Sequence, residues 1–259
     1  MSAAPDLAQT LENSIRRARR VLLFLDFDGT LSPIVARPEL VAMEERSRTA
    51  LDALTRSRRA AIAVVSGRML SDLRSRVGLP VIYAGNHGLE IEGPDFAFLA
   101  PGVEKAIAAF RFIEPELSSR LRSIPGSLIE NKRLTISVHF RMVEPARKQE
   151  VQRRVEEICQ DHLDAVRLGG GKEIIEIQPI VDWNKGSAAR WIRDRLGASE
   201  WPTVCAGDDL TDEDMFRELP DAISIKVGLG PTSAGFRVAD TRDFSEILER
   251  VAALLRNMG

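Results

Sequence analysis

The sequence predicts an α/β fold, a doubly wound parallel sheet interrupted by an inserted α+β cap. Three observations carry this. Apolar runs of strand length alternate with helical patterns near both ends of the chain. Those runs are apolar on both faces, as strands covered by helices on each side must be. The middle of the chain differs, with more evenly alternating strands joined by short polar turns.

The elements follow in order. "VLLFLD" opens the first strand at Val21, and "AAIAVVS" (Ala60 to Ser66) and "PVIYAG" (Pro80 to Gly85) repeat the theme. "TVCAGDD" (Thr203 to Asp209) and "AISIKVG" (Ala222 to Gly228) do so near the other end. Helical patterns run from Met43 to Thr55, Met69 to Val77, Gly186 to Leu196, Asp212 to Leu219 and Phe244 to Arg256. Alternation of this kind gives a Rossmann-like sheet. In the middle, a helix follows "LAPGVEKAI", and Ser127 to Arg141 reads as two strands about a turn at Asn131 to Arg133. A long helix from Pro145 to Leu163 precedes a hairpin, Ala165 to Pro179, that turns at Gly169 to Gly171. The expected division is a core of residues 1–101 and 180–259 with a cap of residues 102–179.

Composition narrows the function classes. A net charge of −2 provides no basic field for nucleic acid. The arginine clusters Arg16 to Arg20 and Arg56 to Arg59 suit helix ends. The longest fully apolar runs fall far short of the ~20 residues of a membrane span. The two cysteines, Cys159 and Cys205, form neither a disulfide framework nor a zinc spacing. The N-terminus lacks the pattern of a signal peptide. A soluble cytoplasmic protein is expected, with no nucleic-acid or membrane partner.

The strand ends carry the chemistry. Strand one ends in Asp26 and Asp28, strand two in Ser66, Gly67 and Arg68, and a late strand in "GDDLTDED" (Gly207 to Asp214). Parallel sheets bind ligands at the carboxyl ends of their strands, so these groups should converge with Lys185. Carboxylates so crowded need a counter-ion, and magnesium takes a few carboxylates together with phosphate. Ser66, the Gly67 amide and Lys185 suit a phosphate. A carboxylate can attack phosphorus, and a second can protonate the leaving oxygen. Asp212 and Asp214 equally suit a helix N-cap.

"DFDGTL", "SGR", a lysine and "GDDLTDED", in this order, resemble the haloacid dehalogenase superfamily of phosphatases. That resemblance implies Asp26 as nucleophile and Asp28 as general acid/base. It implies Mg2+ held by Asp26, the Asp28 backbone carbonyl and Asp208, supported by Asp209 or Asp212. "GNHGLE" (Gly85 to Glu90), "IENKRLTISVHFR", "EIIEIQP", "WNKG" and "VGLGPTSAGFRV" resemble the trehalose-6-phosphate phosphatases more narrowly. The chain departs from that family's usual Arg-Pro and Tyr at Gln178 and Phe140. The resemblance implies that Glu130, Lys132 and Glu176 bind sugar hydroxyls. His87 sits in a glycine-bounded loop and could orient that loop or touch substrate, and Lys172 is a further candidate substrate contact. The expected reaction is hydrolysis of trehalose 6-phosphate. The alternatives are another sugar or polyol phosphate, such as a glucosylglycerol phosphate, and an inactive sugar-phosphate sensor. Intact Asp26, Asp28, Lys185 and Asp208 count against the sensor.

Overall fold

A computed structural model describes residues 6–35, 41–171 and 173–256. In chain order the elements are α1 (Leu7–Ile15), β1 (Val21–Leu25), α2 (Glu45–Thr55), β2 (Ala60–Val65), α3 (Leu70–Val77), β3 (Ile82–Gly85), β4 (Glu90–Gly93) and β5 (Phe96–Leu99). Then come α4 (Val103–Leu121), β6 (Leu128–Asn131), β7 (Ile136–His139), α5 (Lys148–Cys159), β8 (Val166–Gly169) and β9 (Ile174–Pro179). The last are α6 (Lys185–Arg195), β10 (Thr203–Gly207), α7 (Glu213–Glu218), β11 (Ile223–Val227), β12 (Phe236–Val238) and α8 (Thr241–Arg256). They form two compact units, residues 1–98 with 183–259, and residues 99–182.

The first unit is organised by an eight-stranded sheet in the order β12-β11-β10-β1-β2-β3-β4-β5. From β12 to β3 the neighbours pair in parallel, and β4 turns antiparallel on β3. β1 lies in the middle and is buried along its whole length. Val21, Leu23 and Leu25 pack with residues of α1, α2, α3 and α8 on one face. Leu22 and Phe24 pack with α6 and α7 on the other. Each such side chain stabilises by roughly 1.5–3 kcal/mol on burial, and that anchors the strand whose end bears Asp26.

The strands and helices expected for this unit are present, their ends shifted by at most three residues. Four further elements carry weaker signals. β4 holds Glu90, Glu92 and Gly93, β12 has three residues, β5 is a half-exposed edge, and α1 buries only Leu11 and Ile15.

The second unit is a four-stranded antiparallel sheet, β6-β7-β9-β8, covered by helices. Ile136, Val138 and Ile177 join a core with Phe110, Ile113 and Leu117 of α4 and Val151 and Val155 of α5. Strand side chains alternate between faces, so the residues between these point the other way. That face carries a cross-strand row, Glu130 opposite Ser137 opposite Glu176. The expected long helix is instead α5 flanked by single tighter turns at Pro145–Arg147 and Gln160–His162.

Among the described residues, no helix is long and apolar enough to cross a membrane.

Candidate active site

Asp26 is the first residue beyond β1, and its amide continues the ladder to the Ala206 carbonyl at 3.0 Å. Its side chain is buried at the carboxyl ends of β1 and β10, beside a buried lysine. Lys185, the first residue of α6, donates to Asp26 Oδ1 and to Asp212 Oδ1, each at 2.8 Å. Asp212 is 0% exposed and Lys185 3% exposed. The second Asp212 oxygen accepts the Asp208 and Asp209 amides at 2.9 and 3.0 Å. Asp212 therefore knots lysine and acidic loop together; its side chain makes no capping bond to α7.

The other acids separate by role. Asp209 Oδ1 turns inward on its own loop, accepting from the Thr211 amide and hydroxyl, each at 2.7 Å. Asp28 is gripped through both oxygens by Arg68, Nε to Oδ2 and Nη2 to Oδ1, each at 2.6 Å. Asp214 pairs with Arg217. Oxygens of Asp26, Asp208 and Asp212 lie within 4.8 Å of one another, and these three could hold a cation.

The electrostatics agree. Burial pushes the Asp26 carboxyl well above its ordinary range, Lys185 opposing and Asp212, Asp208 and Asp209 reinforcing. Burial and the neighbouring Asp212 and Asp209 push Asp208 up to about 7. Burial works against the charge of Lys185, but Asp212 and Asp26 outweigh it and hold the ammonium above its usual value. Asp26 Oδ2 is buried with no hydrogen-bond partner among the described residues. A buried carboxylate oxygen without a donor costs stability unless something charged faces it. A hard divalent cation with oxygen ligands fits this set, since Lys185 and Lys226 still leave Asp26 and Asp208 raised.

The glycines show how tightly the loops are drawn in. Gly29 has φ +86°, and a Cβ there would fall 2.1 Å from Asp208 Oδ2. A Cβ on Gly67 would fall 2.6 Å from the His87 ring. His87 follows β3 in a left-handed conformation (φ 59°), as does Asn86 (φ 48°). Non-glycine residues adopt this at a cost, so something must hold them. Asn86 Nδ2 donates to Glu90 at 2.8 Å, and its amide bonds the Arg68 carbonyl at 2.7 Å. The turn thus lays His87 against the β2 end, where Ser66 is buried. Burial raises the Asp209 carboxyl, but Lys185 and the Thr211 hydrogen bonds outweigh it and hold it below its usual range.

So the structure brings together Asp26, Asp28, Ser66, Gly67, His87, Lys185, Asp208 and Asp209 at one end of one sheet. Glu130, Lys132 and Glu176 gather within the second unit. Lys132 Nζ lies 3.7 Å from Glu176 and 4.0 Å from Glu130, and His139 meets Glu130 at 3.0 Å. Gln178 donates to Glu176 at 2.7 Å. Lys172 lies outside the described residues.

Sequence reasoning gave no role to three supporting residues. Arg68 clamps Asp28, and Asp72 takes another Arg68 nitrogen at 2.9 Å. Lys226 of β11, 3% exposed, donates to the Asp208 carbonyl. A lysine inside the fully buried strand "ISIKV" was the signal: a central strand buries a charge only when a partner waits for it.

A model of the trehalose-phosphatase family matches residues 24–241. A trehalose-phosphate phosphatase of Mycobacterium bovis is 37% identical over 268 residues, spanning 99% of this chain and 68% of that protein. The crystal structure of a trehalose-6-phosphate phosphatase related protein superposes with a TM-score of 0.80 at 32% identity, covering 90% of this chain and 97% of its own. The C-terminal domain of the C. albicans trehalose-6-phosphate phosphatase has the same fold, with a TM-score of 0.81 at 24% identity over 98% of this chain and 99% of its own. The chain belongs to the trehalose-phosphatase family and is a phosphoric monoester hydrolase with the fold of haloacid dehalogenase-like enzymes.

Proposed function

We propose that this enzyme hydrolyses trehalose 6-phosphate to trehalose and inorganic phosphate, with Mg2+ as its cofactor and Asp26 as nucleophile. The observation that supports Asp26 most is its asymmetry: Oδ1 is tied to Lys185, while Oδ2 has no partner among the described residues. A carboxylate held by one oxygen presents the other in a fixed orientation, so less of the barrier is spent on alignment.

Each residue then has a task. Asp26 Oδ2 forms a bond to phosphorus as the bond from phosphorus to the sugar oxygen breaks, and Asp28 gives its proton to that oxygen. A water then attacks the aspartyl-phosphate, returns a proton to Asp28 and releases phosphate, restoring Asp26. Ser66 and the Gly67 amide hold phosphate oxygens, and Lys185 balances the charge beside Asp26. Asp26, the Asp28 carbonyl, Asp208 and Asp209 or Asp212 would hold the cation, whose chemistry is to neutralise charge on the phosphoryl oxygens. Of that last pair Asp212 has the stronger support, since its carboxylate lies with those of Asp26 and Asp208. The charged row of Glu130 and Glu176, with Lys132, would select the sugar, and His87 is a separate candidate substrate contact. Cytoplasm is the expected compartment.

Phosphate release from a panel of sugar and polyol phosphates tests the substrate. The expected result is the highest kcat/KM on trehalose 6-phosphate. A clear preference for glucosylglycerol phosphate would replace that substrate, and no turnover of any member would revive the sensor.

A further inference from the structure

The expected acid/base and the arginine of the β2 end are paired with each other. Both Asp28 oxygens are held by the Arg68 fork at 2.6 Å. A carboxylate held through both oxygens is turned toward the guanidinium and away from any leaving group. Arg68 in turn presents its Nε and Nη2 edge, the edge that matches a carboxylate or a phosphate in two parallel bonds, to Asp28.

We infer that Asp28 and Arg68 form an anion-exchange latch, in which the substrate phosphate replaces Asp28 on the Arg68 fork and so frees the acid/base. This rests on the phosphatase reading above and deepens it. Arg68 stands one residue from Gly67 and two from Ser66, at the loop assigned to phosphate. It is already seated for either partner: its remaining nitrogen, Nη1, holds Asp72 at 2.9 Å, and Asp72 is bonded in turn by Arg76 Nε at 2.8 Å. Arg76 is anchored by a 2.8 Å bond to the Val41 carbonyl. The guanidinium need not move when its fork changes partner. Asp28 can move, since its side chain is 36% exposed against 12% for Arg68. The exchange swaps one anion for another on a half-buried cation, so no uncompensated charge is left behind. Its consequence is ordering: the acid/base is released only when a phosphate is present to be cleaved.

The test is the affinity for inorganic phosphate with magnesium present, by calorimetric titration of wild type, Asp28→Asn, Arg68→Met and the double variant. If Asp28 competes with phosphate for Arg68, Asp28→Asn tightens phosphate at least fivefold, and Arg68→Met weakens it at least tenfold. The gain from Asp28→Asn must vanish in the double variant. A gain that persists without Arg68 would mean that Asp28 repels phosphate by charge alone, and would overturn the latch. So would an unchanged or weaker affinity in Asp28→Asn, which decides the matter even if Arg68→Met fails to fold. If wild type itself binds no phosphate at millimolar concentrations, nothing displaces Asp28 and the latch is overturned, while release of phosphate from sugar phosphates by the same protein would leave the phosphatase reading standing.

Discussion

Gly29 and Asp208 touch across the ends of β1 and β10: a Cβ on Gly29 would lie 2.1 Å from Asp208 Oδ2, well inside any real contact. The backbone there is also left-handed, φ +86°, which costs a non-glycine residue about 1–2 kcal/mol. The absence of a side chain lets the first acidic motif close onto the last. Gly29→Ala should therefore displace the Asp208 carboxylate. The expected outcome is a Tm that no longer rises with added magnesium, and activity lost at least a hundredfold. Magnesium-dependent stabilisation equal to that of wild type would show that the Asp208 carboxylate does not hold the cation.

Asp26→Asn keeps the size of the side chain and its place beside Lys185, but removes the attacking charge. Turnover should fall by about three orders of magnitude or more, read as phosphate release. Phosphate affinity should hold or tighten, because one negative charge leaves the site. Near-normal turnover would exclude the covalent route.

Lys185 is the buried cation between Asp26 and Asp212. Lys185→Met leaves both carboxylates without it, and breaking a buried pair from one side costs about 3–5 kcal/mol. Urea denaturation without magnesium should show that loss, and saturating magnesium should recover part of it. A loss under 1 kcal/mol would mean that water reaches the cluster and screens it.

The pH dependence follows from Asp208. In the metal-free fold its carboxyl is raised to about 7, against an ordinary value of 3.8. Between those values the folded state binds a proton there that the unfolded state lacks, so this group makes stability fall as pH rises through the window. A cation competes with that proton. Magnesium should therefore bind more tightly at pH 8 than at pH 6, and its effect on Tm should grow across the interval. A magnesium effect that is the same at both values would contradict a protonated Asp208 in the metal-free enzyme.

Much of this was legible because a parallel strand is buried on both faces and so must be apolar. The run Val21 to Leu25, ending in Asp26, announces both a central strand and a chemical group at its end. The edges were not legible. β4 and β12 are short, partly charged and paired on few residues, and their stability comes from neighbours rather than from their own pattern. At the site, spacing marks which acids are present and not which way each carboxylate turns. Asp209 and Asp212 are three residues apart, yet one closes its own loop and the other anchors a lysine and two amides. The Asp28–Arg68 fork joins residues 40 positions apart, and no local pattern encodes it.

Specificity is the sharpest test. The face of β6, β7 and β9 that carries Glu130 and Glu176 also carries Ser137 between them, with Lys132 reaching both glutamates. Apart from Lys132, the groups on this row are acceptors or can act as acceptors, as sugar hydroxyls require. Such a site rejects a ligand lacking the hydroxyls, because charged groups lose partners that an apolar wall would never have offered. Alanine at Glu130 or Glu176 should lower kcat/KM for trehalose 6-phosphate by about 2–4 kcal/mol, the scale of a truncated charged contact. Hydrolysis of p-nitrophenyl phosphate, which presents no sugar, should change less than twofold. Equal losses on both substrates would mean that these glutamates support the fold of the insert. No loss on either would make the row a solvated ion cluster and move sugar recognition elsewhere.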